Sequence, residues 1–144
     1  MNARKVIIII ALIGLLFSVY SITLHYAPAG SSICNVNETF NCDKVNKSPW
    51  ATLFGIPVSI LGTIAYLTVF LLALKQKAVL RKTGLTDKDF WGYMLLLTAI
   101  MCSFQLYLTM IEIFKIYAYC IACLGSQACT LLLTFFSAKE YLRK

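Results

Sequence analysis

Residues 116–138 read IYAYCIACLGSQACTLLLTFFSA, an apolar run that opens close to Cys120-Ile121-Ala122-Cys123. At about 1.5 Å per residue, a helix of this length crosses a hydrocarbon core of roughly 30 Å. The run has company. Residues 6–26, 56–74 and 90–114 are equally apolar, and the four runs are 19 to 25 residues long. With 60% hydrophobic and 13% charged residues and a mean hydropathy of +0.78, the 144-residue chain lacks the polar surface that a water-soluble fold needs. The expectation is an all-α membrane protein, one domain over residues 1–144 built as a four-transmembrane-helix bundle.

Basic residues orient the bundle. Arg4 and Lys5 precede the first run, Lys75, Lys77, Arg81, Lys82 and Lys88 follow the second, and Lys139, Arg143 and Lys144 follow the fourth. Only Lys44, Lys47 and Lys115 fall on the other side. The excess of positive charge marks the cytoplasmic face, so both termini are expected inside and both ends of the cysteine chemistry outside. The net charge of +7 is thereby a topology signal, carried in short loops that flank spans, and no nucleic-acid partner is expected. The first run, followed by Ala27-Pro28-Ala29, also imitates a cleaved secretion signal. At 21 residues it exceeds the 7 to 15 apolar residues usual there, so it is read as a retained helix.

Cysteines decide the chemistry. Cys34 and Cys42 lie eight apart in the polar outer loop, residues 27–50, where an oxidising compartment favours a disulfide. By itself such a pair is a staple that orders the loop, mobile and wet. Cys120 and Cys123 change that reading, because a helix start places Cys120 near unpaired amides that favour a thiolate. Cys123 falls one turn further in. Two dithiols at one membrane face can exchange electrons by thiolate attack on a disulfide, with Cys42 and Cys120 as the contact. Such a relay needs an acceptor. Haem, dinucleotide and flavin motifs are absent from the sequence, and a lipid-soluble quinone is consistent with a site in the membrane.

Other uses of these residues are weaker. Tetrahedral zinc on the four cysteines is disfavoured by the eight-residue spacing and the oxidising side, so no metal is expected. Cys102 and Cys129 sit within apolar runs as small packing residues. His25 reads as an interfacial polar residue, and Trp50, in the short amphipathic stretch 50–54 bracketed by Pro49 and Pro57, reads equally as an interfacial anchor or as part of a site. Glu112 and Lys115, one turn apart, are expected to pair at the interface. Asn37-Glu38-Thr39 matches a glycosylation sequon and carries no functional weight.

The outer-loop pair eight apart, Ser48 and Trp50 behind its second cysteine, and Cys120-Ile121-Ala122-Cys123 opening the last helix together resemble the vitamin K epoxide reductase family. The resemblance spans about residues 6–136. It implies a four-helix bundle around a quinone site beside the CxxC motif, with the loop cysteines relaying electrons to it. Carried onto this chain, Cys34 reacts with a partner's thiols, Cys42 forms the transient bond with Cys120, and Cys123 faces the quinone. Ser48 matches a hydroxyl position that holds the loop or the pocket mouth. The two positions at which the family's animal enzymes place polar contacts to the vitamin K ring fall here on Val58 and Gln127, and Val58 cannot hydrogen-bond. Epoxide reduction therefore fits less well than a prokaryotic member that oxidises protein thiols. Its implied acceptor is a quinone of ubiquinone, menaquinone or vitamin K type. Its implied partner is a separate exported thioredoxin-like oxidant, since only residues 139–144 follow the last helix. The implied location is a bacterial cytoplasmic membrane with the site at its outer face. The alternatives are a vitamin K quinone or epoxide reductase and a non-catalytic membrane protein with a structural disulfide or metal site.

Overall fold

Asn2 opens the first helix of the computed structural model, which describes residues 2–144. The chain runs α1 (Ala3–Tyr26), a short α2 (Cys42–Asn46), a 3-10 turn at Pro49–Ala51, and a hairpin of β1 (Thr52–Leu53) and β2 (Ile56–Pro57). Then come α3 (Val58–Leu74), α4 (Gln76–Thr83), α5 (Asp87–Ile111), a π-helical turn at Glu112–Ile116, and α6 (Ile121–Arg143). Three helices are long and apolar enough to cross a membrane alone: α1, α5 with its π turn, and α6. The fourth candidate is α3 joined to α4, with a bend of 80° between them.

Long helices follow from the bilayer's demand that every backbone polar group be satisfied within its own segment. Their order in space follows from packing. α1 lies along both α3 and α6, and α6 also lies along α5, whereas α3 and α5 meet more sparingly. Gly14 of α1 takes the ring of Tyr66 against its backbone, where any Cβ would overlap the ring. Such small residues let membrane helices approach closely. The core at this level joins Ile7, Ile10 and Ala11 to Tyr66, Val69, Met94 and Leu133. Leu16, Ile64, Leu96 and Phe135 point outward, as side chains that meet lipid should.

A polar knot crosses the middle of the bundle. The fully buried Tyr66 places its hydroxyl 2.7 Å from the Ser126 carbonyl, 2.9 Å from Ser126 Oγ and 3.0 Å from Thr130 Oγ1. Gln105 closes it, donating from Nε2 to Ser126 Oγ at 2.7 Å and accepting from the Thr130 hydroxyl. α3, α5 and α6 are thereby tied without leaving a donor bare in hydrocarbon.

Helix ends depart from the sequence reading. The second helix begins at Val58 instead of 56, because Ile56 and Pro57 pair with Leu53 and Thr52 in the hairpin. Residues 50–54 form the turn and hairpin, with Phe54 at the tip, 96% exposed and at φ 52°. The loop after α3 contains α4, ended by Gly84 in the left-handed conformation at φ 71°. The third helix starts earlier, at Asp87, behind a capping box in which Thr86 and Asp89 each accept the other's backbone N–H. Its α-helical part stops at Ile111 instead of 114. The last helix starts at Ile121 instead of 116 and runs on to Arg143. Tyr117 breaks it at φ 55°, and Tyr119 is used in a bridge to Phe40.

Candidate active site at the outer loop and bundle mouth

The loop between α1 and α3 is built from side chains that bond its own backbone. Asn37 Oδ1 accepts from the N–H groups of Thr39 and Phe40 at 2.9 and 2.8 Å, and Asn41 caps α2 by accepting from Lys44 N–H at 2.9 Å. Asp43 Oδ2 gathers Gly30 N–H at 2.7 Å and Asn35 Nδ2 at 2.8 Å. Burial pushes the Asp43 carboxyl up, but these hydrogen bonds and the charge of Lys47 outweigh it and hold the group below its ordinary value. Lys47 Nζ donates to the Leu24 carbonyl at 2.7 Å and to that of Ala27, covering orphan carbonyls at the end of α1. His25 lies 2.7 Å from the Asn46 carbonyl through Nδ1, so the expected interfacial polar residue is a clasp between α1 and α2.

Within this frame Cys34 and Cys42 are joined as a disulfide, their Cα atoms 5.9 Å apart. The pair is not uniformly wet, as the loop composition led us to expect. Cys34 is half-buried, beside the exposed Ile33 and Val36, whereas Cys42 is 0% exposed. The burial has a backbone cause. Tyr119 N–H donates to the Thr39 carbonyl at 2.6 Å, and Asn41 N–H donates to the Tyr119 carbonyl at 3.0 Å. Two chain segments nearly eighty residues apart are thus zipped side by side, each ending in a cysteine.

Cys120 is the N-cap of α6, and its Sγ accepts from the Cys123 N–H at 3.2 Å. It is fully buried in one cluster with Cys42, Val45, Leu24, Ile111 and Ala122. Asn46 joins the two cysteines: its Nδ2 donates to the Cys42 carbonyl at 2.9 Å and reaches Cys120 Sγ at 3.5 Å. The Cys120 thiol is held below its ordinary value. Its hydrogen bond with the Cys123 side chain is the first cause, and those from the Cys123 amide and Asn46 add to it, against burial and the Glu112 charge.

Cys123 lies on the wall of a cavity of about 110 Å³ between the helix ends that adjoin the cysteine loop. Ser48, Val58 and Gln127 are on the same wall, with Ser18, Ser21 and Ser59. Ser48 donates to the Val45 carbonyl at 2.8 Å, and the half-exposed Trp50 stands at the rim. Gln127 accepts weakly from Thr109 at 3.5 Å, while its buried Nε2 has no hydrogen-bond partner among the described residues. Cys34, Cys42 and Cys120 do not line the cavity. Cys102 and Cys129 are buried away from it, Cys129 against the apolar core.

The expected Glu112–Lys115 pair does not form. Glu112 is 4% exposed and accepts from the Cys120 N–H at 3.1 Å through Oε2, because the π turn widens the helix and carries the carboxylate inward. Asn46, Gln105 and Ser126 were also missed as site residues. The sequence held one signal for Glu112, the single charged residue in the run 90–114.

A family model described as the vitamin K epoxide reductase family matches residues 5–138 of the 144. The chain belongs to the vitamin K epoxide reductase family. It is therefore an integral membrane protein of an oxidoreductase family that exchanges electrons between thiols, disulfides and quinones. No curated protein matches the chain at a significant level. Within the family frame, the loop disulfide, the CxxC motif and the cavity form one continuous series of contacts at the same end of the bundle.

Proposed function

We propose that this family member generates disulfides for exported proteins, moving electrons from partner thiols to Cys34–Cys42, then to Cys120–Cys123, then to a quinone. The observation that carries this reading is the graded burial of the four sulfurs. Cys34 is reachable from outside, Cys42 and Cys120 share a buried cluster, and Cys123 borders the cavity. The disulfide sulfur of the half-buried Cys34 opens the relay to a partner's thiol, and Asn46 ties the Cys42 backbone to the Cys120 sulfur.

The cavity fits a quinone ring in its chemistry. Apolar walls such as Val58 suit the ring's faces, and the unpartnered Gln127 Nε2 is a donor for a carbonyl oxygen. Ser48 braces the chain at the cavity's mouth. A bound quinone supplies a two-electron sink; the chain's residues hold it beside Cys123 and shield the site from water. With Val58 in place of a polar contact, ordinary quinones suit the site better than an epoxide. We further assign both termini to the cytoplasm and the cysteines to the outer face of a bacterial cytoplasmic membrane, on the distribution of basic residues. The partner in this reading is a separate thioredoxin-like exported protein.

Quinone reduction by the purified protein with a dithiol donor tests the reading. Turnover is expected in the wild type and absent in Cys123→Ala. A folded wild-type protein that reduces no quinone overturns the proposal in favour of a structural role for the cysteines.

A further inference from the structure

Forming the Cys120–Cys123 disulfide breaks two S–H bonds and makes one S–S bond, so two electrons and two protons must leave. A quinone-class acceptor takes up the same number of each. The two protons start from unequal places. Cys123 borders the cavity, so its proton has a direct way in. Cys120 is 0% exposed and does not border the cavity, so its proton needs a carrier.

Glu112 is the group that touches both. Its Oε2 accepts from the Cys120 N–H at 3.1 Å, and its side chain lines the cavity together with Cys123. No cation pairs with it among the described residues; the ion pairs there are Arg143–Glu140 and Lys144–Asp87, at the far end of the bundle. The polar groups that line the cavity include Ser18 and Ser21 from α1, Ser59 from α3, Gln105 and Thr109 from α5, and Cys123, Ser126 and Gln127 from α6. Apart from Glu112, only Cys123 among the cavity-lining side chains carries an ionisable proton. A carboxyl so placed can hold a proton or release it, and no opposite charge ties it to either form. The π turn that aims it inward is a distortion of a kind often found at functional sites.

We propose that Glu112 is a redox-linked proton carrier, which accepts the proton that Cys120 gives up as the Cys120–Cys123 disulfide forms and passes it into the cavity. The proposal rests on the reading of the cavity as the site of a two-electron acceptor. Glutamine at this position keeps an oxygen for the Cys120 N–H, so the fold should survive the substitution while the proton cannot be carried. Aspartate keeps the proton chemistry with a shorter reach.

Two measurements test this. The first is the infrared difference spectrum between the dithiol-reduced and oxidised protein, with no quinone present. A carboxyl C=O stretch that changes with the thiol redox state in the wild type, and is missing in Glu112→Gln, is expected; identical spectra for the two proteins overturn the proposal. The second is steady-state quinone reduction. Glu112→Gln should lose kcat by about 10²-fold, the scale of a positioned proton donor, with KM little changed and Glu112→Asp partly restored. The Cys120–Cys123 disulfide of the variant should still be fully reducible by dithiothreitol. Unchanged kcat in Glu112→Gln sinks this proposal alone, whereas an inert wild type sinks the functional reading and this proposal with it.

Discussion

The two cysteine pairs are ordered by opposite means. Cys34–Cys42 sits in a loop held by local bonds between polar side chains and backbone, such as Asn37 to Thr39 and Asp43 to Gly30. Cys120 and Cys123 sit at a helix start fixed by the helix's own geometry and by burial against α1 and α5. The loop is also clasped to the bundle, through Tyr119, His25 and Lys47. Yet the boundary between outside and inside does not run between the pairs. It runs through the first one, with Cys34 near the surface and Cys42 in the same apolar cluster as Cys120. A short disulfide can thus present one sulfur to a partner while the other is already docked.

The sharpest break of this comparison is Cys34→Ser. If Cys34 is the outward sulfur, the variant loses oxidation of a protein partner completely. A small dithiol should still react with the Cys120–Cys123 disulfide, because it does not need the loop as an adaptor. Assaying both substrates with the same preparation separates the roles. Equal loss of both activities would mean that the loop pair is not an adaptor at all.

Acid should also tell the two pairs apart. The Asp43 carboxyl lies below its ordinary value of 3.8 in the folded loop. A depressed carboxylate contributes stability that is present above its unfolded value and lost as pH falls through its folded one. The loop should therefore keep its order down to about pH 4 and loosen below it, whereas Cys120 and Cys123 are held chiefly by the start of α6 and its packing. Limited proteolysis across that range, read at residues 27–47, should show cleavage rising as pH drops through 4 and already high in Asp43→Ala at neutral pH. A pH-independent pattern would remove Asp43 from the account.

Much of this arrangement was legible in the chain, and the parts that were not have a common cause. Apolar runs and basic flanks report the bilayer directly, so α1, α5 and α6 were found within a few residues at most ends. The four cysteines proposed for the relay stand out in the sequence by spacing and by polar or apolar surroundings. What hydropathy cannot see is backbone hydrogen bonding to a distant segment. Residues 116–120 looked like helix because Ile116, Tyr117 and Ala118 are apolar, yet Tyr119 pairs with Phe40 and delays the helix to Ile121. The same delay makes Cys120 a cap. Glu112 was assigned to Lys115 on regular helical spacing, and the π turn defeats that spacing. Asn46 gave no sign at all, since its partners lie on two other segments, at His25 and Cys120.

Asn46 offers the smallest and most discriminating test, because its side chain bridges the two pairs. In the reduced protein its Nδ2 helps hold the Cys120 thiol below the ordinary 9.0. A depressed thiol favours the folded reduced state above the unfolded value, and that gain is lost as pH falls through the folded one. Asn46→Ala removes one donor and leaves the Cys123 contacts in place, so the titration midpoint of Cys120 should move up towards 9.0 without reaching it. A net hydrogen bond of about 1 kcal/mol corresponds to roughly a fivefold change in the thiolate equilibrium. Thiolate absorbance against pH, in protein whose loop disulfide is intact, reads this directly. An upward shift with a matching fall in the rate of exchange between the pairs ties Asn46 to the handover. A slower exchange with an unmoved midpoint would instead assign Asn46 to the docking of α2, where its bond to the Cys42 carbonyl and the His25 clasp hold the loop pair against the fixed one.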